Sequence, residues 1–392
     1  MTSLPVVARR GAPLAFSVLV GLAACAPEEP STGNTGGSTS SSGGAGPVGG
    51  TPGAGGKATG GASSGGRASG GTATGGIATG GAPSGGIGGA ATFRNGVFWN
   101  DTSGNRVEAH GGGFLKVGDT WFWFGEDKSQ NSGNFYAVNC YSSRDLNSWQ
   151  FRRAIITRNT APDLNTADRI IERPKVIYND TTKKYVMWLH WEGQNYAEAK
   201  AGVFTCDTVD GNYTYVSSFR PNNNMSRDDT LFKDDDGKAY FISAANDNKD
   251  LAVYQLSDDY LTVKQQVATL WPGSSREAPA LFKQGSTYFL ITSGCTGWDP
   301  NQAAYGTASS VSGPWSALKN LGDNTTYDSQ STYVVPFVGT AATTYIYAGD
   351  RWQDPDLKSS KYIWLPLVVN GTSLTLNYYA EWTLDLGTGR WQ

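Results

Sequence analysis

Histidine is almost missing from this sequence: there are two, His110 and His190. Neither an HExxH nor a CxxC pair occurs, so the patterns that hold zinc are absent, and no metal or cofactor is expected. Cysteine is scarce too. Cys25 stands apart near the N-terminus, leaving Cys140, Cys206 and Cys295 in the rest of the chain. Three is odd, so at most one disulfide can form and one thiol stays free; small buried hydrophobes is the plainer reading. Basic charge is not in excess: 31 Lys and Arg face 34 Asp and Glu, a net charge of −3. That argues against nucleic acid, which needs a basic face, and suits a neutral partner such as a polysaccharide. Aromatic residues are missing from the N-terminal part. Of 13 Trp, 19 Tyr and 15 Phe, only Phe16 precedes Phe93. A segment so poor in them builds no core, which confines the fold to roughly the last 300 residues. That length suffices for one large all-β domain, here 93–392, expected as a monomer.

The N-terminus carries Arg9 and Arg10, then an apolar run from Ala12 to Leu22, then Leu22-Ala23-Ala24-Cys25. A basic start, a short apolar stretch and small residues at a cleavage site read as an export signal over 1–25. The run is too short for a permanent membrane span. Leu-Ala-Ala-Cys resembles the bacterial lipobox, in which the cysteine becomes the lipidated first residue. Lipid at Cys25 would hold the protein on a bacterial cell surface or outer membrane, its only membrane contact; otherwise the chain is secreted. Residues 26–92 are dominated by Gly, Ser, Thr and Ala, with repeats such as Ala58-Thr59-Gly60-Gly61. This reads as a flexible linker with a reach on the order of 45 Å over ~67 residues.

From Phe93 the pattern is short period-two runs rich in Val, Ile, Tyr, Phe and Trp, broken by Gly, Asp and Asn turns. One unit recurs: a polar residue, an apolar strand, a turn, an aromatic strand. Its leading residues are His110, Glu172, Asp228, Glu277 and Gln330, spaced by 62, 56, 49 and 53. A period of roughly 50 fits a four-stranded propeller blade, so an all-β, five-bladed β-propeller is predicted. Equivalent residues of successive blades meet around the axis, so these five should form a ring at one channel mouth. Gathering three acids is costly without a purpose, because like charges raise each other's pKa.

Such a ring suits glycoside cleavage. An acid must protonate the leaving oxygen, and in an inverting enzyme a second group activates water roughly 6.5–9.5 Å away. Glu277, beside Ala278 and Pro279 with Asp228 one blade away, suits the acid. Trp298, Trp352, Trp191 and Tyr196 follow strand ends near the ring, where flat rings can stack on sugars, and Asn248 can bind hydroxyls.

Seven motifs occur in order: Glu-Ala-His-Gly-Gly-Gly (108–113), Phe-Gly-Glu-Asp-Lys (124–128), Glu-Arg-Pro-Lys-Val (172–176), Ser-Arg-Asp (226–228), Glu-Ala-Pro (277–279), Ser-Gln (329–330) and Asp-Arg-Trp (350–352). From about Phe98 to about Trp382 the chain resembles the exo-β-1,3-galactanases of glycoside hydrolase family 43. The resemblance implies a five-bladed propeller that releases galactose from the β-1,3-galactan main chain of arabinogalactan, with inversion, bypassing β-1,6-linked branches. It implies Glu277 as general acid, Asp228 tuning that acid, Glu172 positioning the sugar and Gln330 holding the attacking water. Most of family 43 has a first-blade aspartate base; here that region reads Ala109-His110. Asp328, two residues before Gln330, is a substitute candidate if it shares the strand face. Glu126, Asp350, Arg351, Trp352 and His110 fall in these motifs and are carried as substrate-binding, with Tyr196, Asn248 and Trp298. Some relatives bear a carbohydrate-binding module after the propeller; none is expected here. The rival readings are another family 43 activity, an arabinofuranosidase or β-xylosidase, and a non-catalytic glycan-binding propeller.

Overall fold

A computed structural model describes residues 88–193 and 195–392. The proposed signal, Cys25 and most of the proposed linker lie outside the described residues. The fold opens with β1 (Ala90–Arg94). Blade 1 contains β2 (His110–Val117), β3 (Thr120–Glu126), β4 (Ala137–Ser143) and β5 (Gln150–Thr157). Blade 2 contains β6 (Arg169–Asn179), β7 (Lys184–Gly193), β8 (Lys200–Cys206) and β9 (Thr214–Phe219). Blade 3 contains β10 (Asp229–Lys233), β11 (Ala239–Ala245), β12 (Asp250–Leu256) and β13 (Val263–Leu270). Blade 4 contains β14 (Arg276–Gln284), β15 (Thr287–Gly294), β16 (Ala303–Ala308) and β17 (Lys319–Leu321). Blade 5 contains β18 (Gln330–Val338), β19 (Thr343–Arg351), β20 (Lys361–Asn370) and β21 (Ser373–Leu376), and β22 (Glu381–Asp385) ends the series.

Each blade is an antiparallel meander of four strands in chain order. The fold is thus the five-bladed propeller the repeat predicts. The first strand of each blade is innermost: β2, β6, β10, β14 and β18 contact one another around the ring. Period-two alternation glues blade to blade. On β7, Met187 and Leu189 face blade 1, whereas Val186 and Trp188 face blade 3. Five apolar clusters result, one per blade interface.

Closure does not use a shared blade. β1 pairs with β22 as a separate two-stranded sheet, and it seals the junction of blades 1 and 5. Phe93 stacks on Trp382 at 4.4 Å, and Trp123 meets Trp364 at 5.2 Å. The fold therefore begins at Ala90, not Phe93. The sequence boundary was late because Ala90 to Thr92 continue the small-residue composition of the linker while their backbone joins the strand.

Candidate active site

The inner strands share a local device. In β2, β6 and β14 a bulge follows the first residues, and the residue after the ring position takes a left-handed backbone: Gly111 (φ 59°), Arg173 (φ 55°) and Ala278 (φ 52°). Each of these N–H groups is held by a carboxylate of the preceding blade. Asp350 Oδ2 accepts from Gly111 at 2.7 Å, Glu126 Oε1 from Arg173 at 2.9 Å, and Asp228 Oδ2 from Ala278 at 3.1 Å. Position 111 has to be glycine, because an added Cβ would stand 2.2 Å from Glu126 Oε1. Non-glycine residues at positive φ cost energy, and the acids hold Arg173 and Ala278 there.

The pocket at this mouth is lined by Glu126, Glu172, Asp228, Glu277 and Gln330, with Arg173, His190, Tyr196, Arg227, Asn248, Trp298 and Trp352. Four of the five residues predicted for the ring meet in it. The first blade supplies Glu126, from the end of β3, instead of His110. Arg173 lies at the centre: its Nε pairs with Asp228 Oδ2 at 2.8 Å, and its Nη2 donates to Gln330 Oε1 at 2.5 Å. Lys128 pairs with Glu126 at 2.7 Å. Burial raises the Glu126 carboxyl, and Lys128 opposes that. These cations offset the repulsion that makes an acidic ring costly.

Glu172 receives His190 Nδ1 at 2.9 Å and the Tyr196 hydroxyl at 3.0 Å. Burial alone would raise its pKa, yet the hydrogen bond and charge of His190, with Lys128 and Tyr196, bring it down to about 2. Glu277 Oε1 accepts from Gln330 Nε2 at 3.1 Å, and Oε2 from Asn248 Nδ2 at 3.3 Å. The Gln330 amide also donates to Ser293 Oγ at 3.1 Å and accepts from Trp352 Nε1 at 3.0 Å. Its oxygen and nitrogen are thus assigned unambiguously by their neighbours. Instead of standing 6.5 Å or more from the acid, Gln330 touches it, because an amide N–H attracts a carboxylate where a second carboxylate would be repelled.

A larger recess of ≈ 500 Å³ adjoins this pocket and shares Gln330, Gly297, Trp298 and Trp352 with it. Phe98, Asp328, Arg351 and Lys361 line its outer part. Trp298 packs edge-on against Trp352 at 4.9 Å, so the two rings stand where the recesses join.

Several sequence assignments move. His110 is fully buried and Asp350 is 1 % exposed; they bond each other at 2.8 Å behind the pocket wall. Neither lines the pocket: the His110 ring stacks on Tyr362 at 4.7 Å, and both Asp350 oxygens are taken up by His110 Nδ1 and the Gly111 N–H. Arg351 lines only the outer recess, with Nε on the Tyr327 carbonyl. Trp191 is 1 % exposed in the core between blades 1 and 2, since it shares the strand face of Leu189. Asp328 is not on the strand with Gln330. It ends a left-handed turn, Thr326 to Asp328, before β18 begins, and it faces the outer recess. Among the described residues Cys140, Cys206 and Cys295 form no disulfide, and only Cys140 is fully buried.

Sequence reasoning left Arg173, Lys128, His190 and Arg227 without a role. All but His190 stood inside quoted motifs beside a chosen acid, and a cation next to a buried carboxylate was the available signal. Glu172, His190 and Asp228 bring one donor atom each within 4.8 Å of one another. His190 Nδ1 is bonded to Glu172 and the Arg173 guanidinium to Asp228.

A propeller whose channel mouth joins carboxylates, an amide and aromatic rings has the makings of a sugar-cleaving site, and the fold and site together define a glycoside hydrolase. Residues 115–339 match glycosyl hydrolases family 43, and the chain belongs to that family. It is similar to an exo-β-1,3-galactanase from Clostridium thermocellum, with 45 % identity, a TM-score of 0.73, and coverage of 76 % of this chain and 68 % of that one. A second similar structure is an exo-β-1,3-galactanase from Phanerochaete chrysosporium with bound β-1,3-galactotriose, at 38 % identity and a TM-score of 0.73, covering 77 % of this chain and 70 % of that one. A family 43 β-1,3-galactosidase with galactodeoxynojirimycin is 35 % identical with a TM-score of 0.70, covering 74 % of this chain and 99 % of that one. Among curated proteins, a xylan 1,3-β-xylosidase from Vibrio sp is 26 % identical over 176 residues, 40 % of this chain; the match spans about a third of that protein's length (32 %).

Proposed function

We propose that the protein removes galactose from the non-reducing end of β-1,3-galactan, the main chain of arabinogalactan, with inversion at the anomeric carbon. Gln330 carries the reading: an amide, not a carboxylate, stands against Glu277, held by Arg173, Trp352 and Ser293. The galactan-cleaving relatives are 35–45 % identical over most of this chain, whereas the xylosidase match is shorter and weaker.

In this reading Glu277 gives its proton to the glycosidic oxygen, and water attacks the anomeric carbon from the opposite face. The glycosidic bond breaks as the water oxygen bonds to the anomeric carbon; the water, oriented by the Gln330 amide, sheds its surplus proton to solvent, and Glu277 is reprotonated from solvent. All four hydrogen-bonding valences of the Gln330 amide are engaged within the protein. An entering sugar must therefore break the 3.1 Å Gln330–Glu277 bond, freeing the acid for the glycosidic oxygen and the amide for water. Asp228 acts on the acid through the Ala278 N–H and the Arg173 guanidinium. Glu172, ionised and flanked by Tyr196, accepts sugar hydroxyls, and Asn248 and Trp298 complete the wall. The signal and Leu-Ala-Ala-Cys motif support export and anchoring at Cys25, with residues 26–89 as tether.

The test is digestion of debranched β-1,3-galactan, arabinoxylan and β-1,3-xylan by the native protein and by Glu277→Gln. Galactose from the native protein alone is expected. Pentose release, or binding of galactan without cleavage, would replace the reading with a pentosidase or a lectin.

A further inference from the structure

The chain has two histidines, and both are fully buried between two carboxylates. His110 Nδ1 meets Asp350 at 2.8 Å and its Nε2 stands 3.7 Å from Glu108. His190 Nδ1 meets Glu172 at 2.9 Å and its Nε2 stands 3.5 Å from Glu192. Only the second sandwich ends on a carboxylate that lines the sugar pocket. Glu192 does not reach that pocket and is itself immobilised. Its Oε1 accepts the N–H groups of Gly193 at 3.0 Å and Glu198 at 2.7 Å, and Oε2 accepts that of Ala199 at 2.8 Å. The loop so gathered carries Tyr196, whose hydroxyl closes on the other Glu172 oxygen.

We infer that His190 and Glu192 are positioning residues: a buried strut, Glu192–imidazolium–Glu172, which fixes one Glu172 oxygen while the loop pinned by Glu192 brings Tyr196 to the other. The inference rests on the sugar-site reading for what Glu172 does, but the strut is a claim about the protein alone.

The strand alternation shows why these groups meet. Trp188, His190 and Glu192 share one face of β7, toward blade 3, and Lys175 lies opposite Trp188 on β6. Asp229 of β10 shares its face with Leu231, toward blade 2. The titratable groups around His190 are therefore Glu172 and Lys175 from β6, Glu192 from β7, Asp229 from β10 with Asp228 just before it, and Tyr196 from the loop. Burial lowers Lys175 to about 8. Burial raises Asp229 well above the usual carboxylate range, which disfavours a charge there competing for the imidazolium. For His190 itself burial opposes protonation, but the two glutamates prevail and raise it to about 10. A histidine that merely filled space would need neither ionised neighbour.

Two measurements test the strut. The first is independent of substrate: ¹⁵N-resolved NMR of the two imidazoles, assigned by the signal lost in His190→Asn. His190 is expected to hold protons on both nitrogens throughout neutral pH; a neutral ring at pH 7 overturns the inference. The second compares native protein, His190→Asn and His190→Gln on β-1,3-galactan. Asparagine places an N–H where Nδ1 was but removes the charge, so the acid limb of kcat/KM is expected to move up by about 1 pH unit or more. Glutamine mimics Nε2 rather than Nδ1, so kcat is expected to fall about 10- to 100-fold. A lowered melting temperature with the acid limb and kcat unchanged in both variants overturns the inference. If the native protein releases no galactose, the functional reading fails, and the NMR result still decides the strut.

Discussion

Replacing Gln330 with glutamate changes one N–H donor into an oxygen at nearly constant shape. In the native site the amide donates to Glu277 Oε1 at 3.1 Å; in Gln330→Glu two carboxylates meet there. Two unit charges ~3 Å apart repel by about 5 kcal/mol at an effective dielectric of about 20. The Arg173 guanidinium, 2.5 Å from the Gln330 oxygen, and the open pocket offset part of this. A residual of roughly 2–3 kcal/mol corresponds to about 2 pH units. Arg173 and Trp352 favour the negative charge on residue 330, so the shared proton belongs on Glu277. The basic limb of the kcat/KM profile on β-1,3-galactan, where the acid loses its proton, should therefore move up by about 2 units. Initial rates of galactose release across the pH range, alongside melting curves at each pH, measure it. A basic limb that coincides with the native one would refute the coupling of residues 330 and 277.

The remaining expectations touch other parts of the molecule. Asp228→Asn leaves Arg173 buried without its partner and weakens the hold on Ala278, so kcat should fall steeply and stability drop by about 3 kcal/mol; denaturant titration and steady-state rates check both. Gly111→Ala puts a Cβ 2.2 Å from Glu126 Oε1 in a left-handed position, so calorimetry should show a loss of about 2 kcal/mol or more. A melting temperature equal to the native one would contradict the bulge argument. Trp382→Ala opens the aromatic seal between blades 1 and 5 and should cost about 3–5 kcal/mol while leaving KM of the remaining folded protein unchanged. The pH dependence of stability has two arms. Glu172, held at about 2 against an ordinary 4.5, contributes stability above pH 4.5 that is lost as pH falls toward 2. His190, held at about 10 against 6.5, contributes stability below pH 6.5 that is lost as pH rises through 10. The two arms share the Glu172–His190 ion pair, worth on the order of 3 kcal/mol, so Glu172→Gln should remove the acid arm and weaken the basic one in thermal melts, Glu192 still facing the imidazole.

The blades were legible because a half-buried strand writes its period into the chain, and five leading residues kept a spacing near that of a blade. Four of those five meet in the pocket for the same reason. His110 did not: the same bulge follows Glu172 and Glu277, but the imidazole is held by stacking on Tyr362 and by its bond to Asp350. Sequence position places a residue at a strand start but does not show which partners its side chain finds. Trp191 was misplaced because an aromatic at a strand end looks alike whether it faces solvent or the next blade; only its shared face with Leu189 separates the cases. Arg173, Lys128 and the His190–Glu192 strut stayed hidden because pairings between blades join residues with no fixed separation in sequence.

Proton NMR of β-1,3-galactan digestion, followed from the first turnovers, decides whether the protein is an inverting exo-galactanase. Galactose alone, appearing first as the α-anomer and abolished by Glu277→Gln, is the predicted result. Galactose appearing first as the β-anomer, oligosaccharides of mixed length, or no release from a folded protein would contradict it.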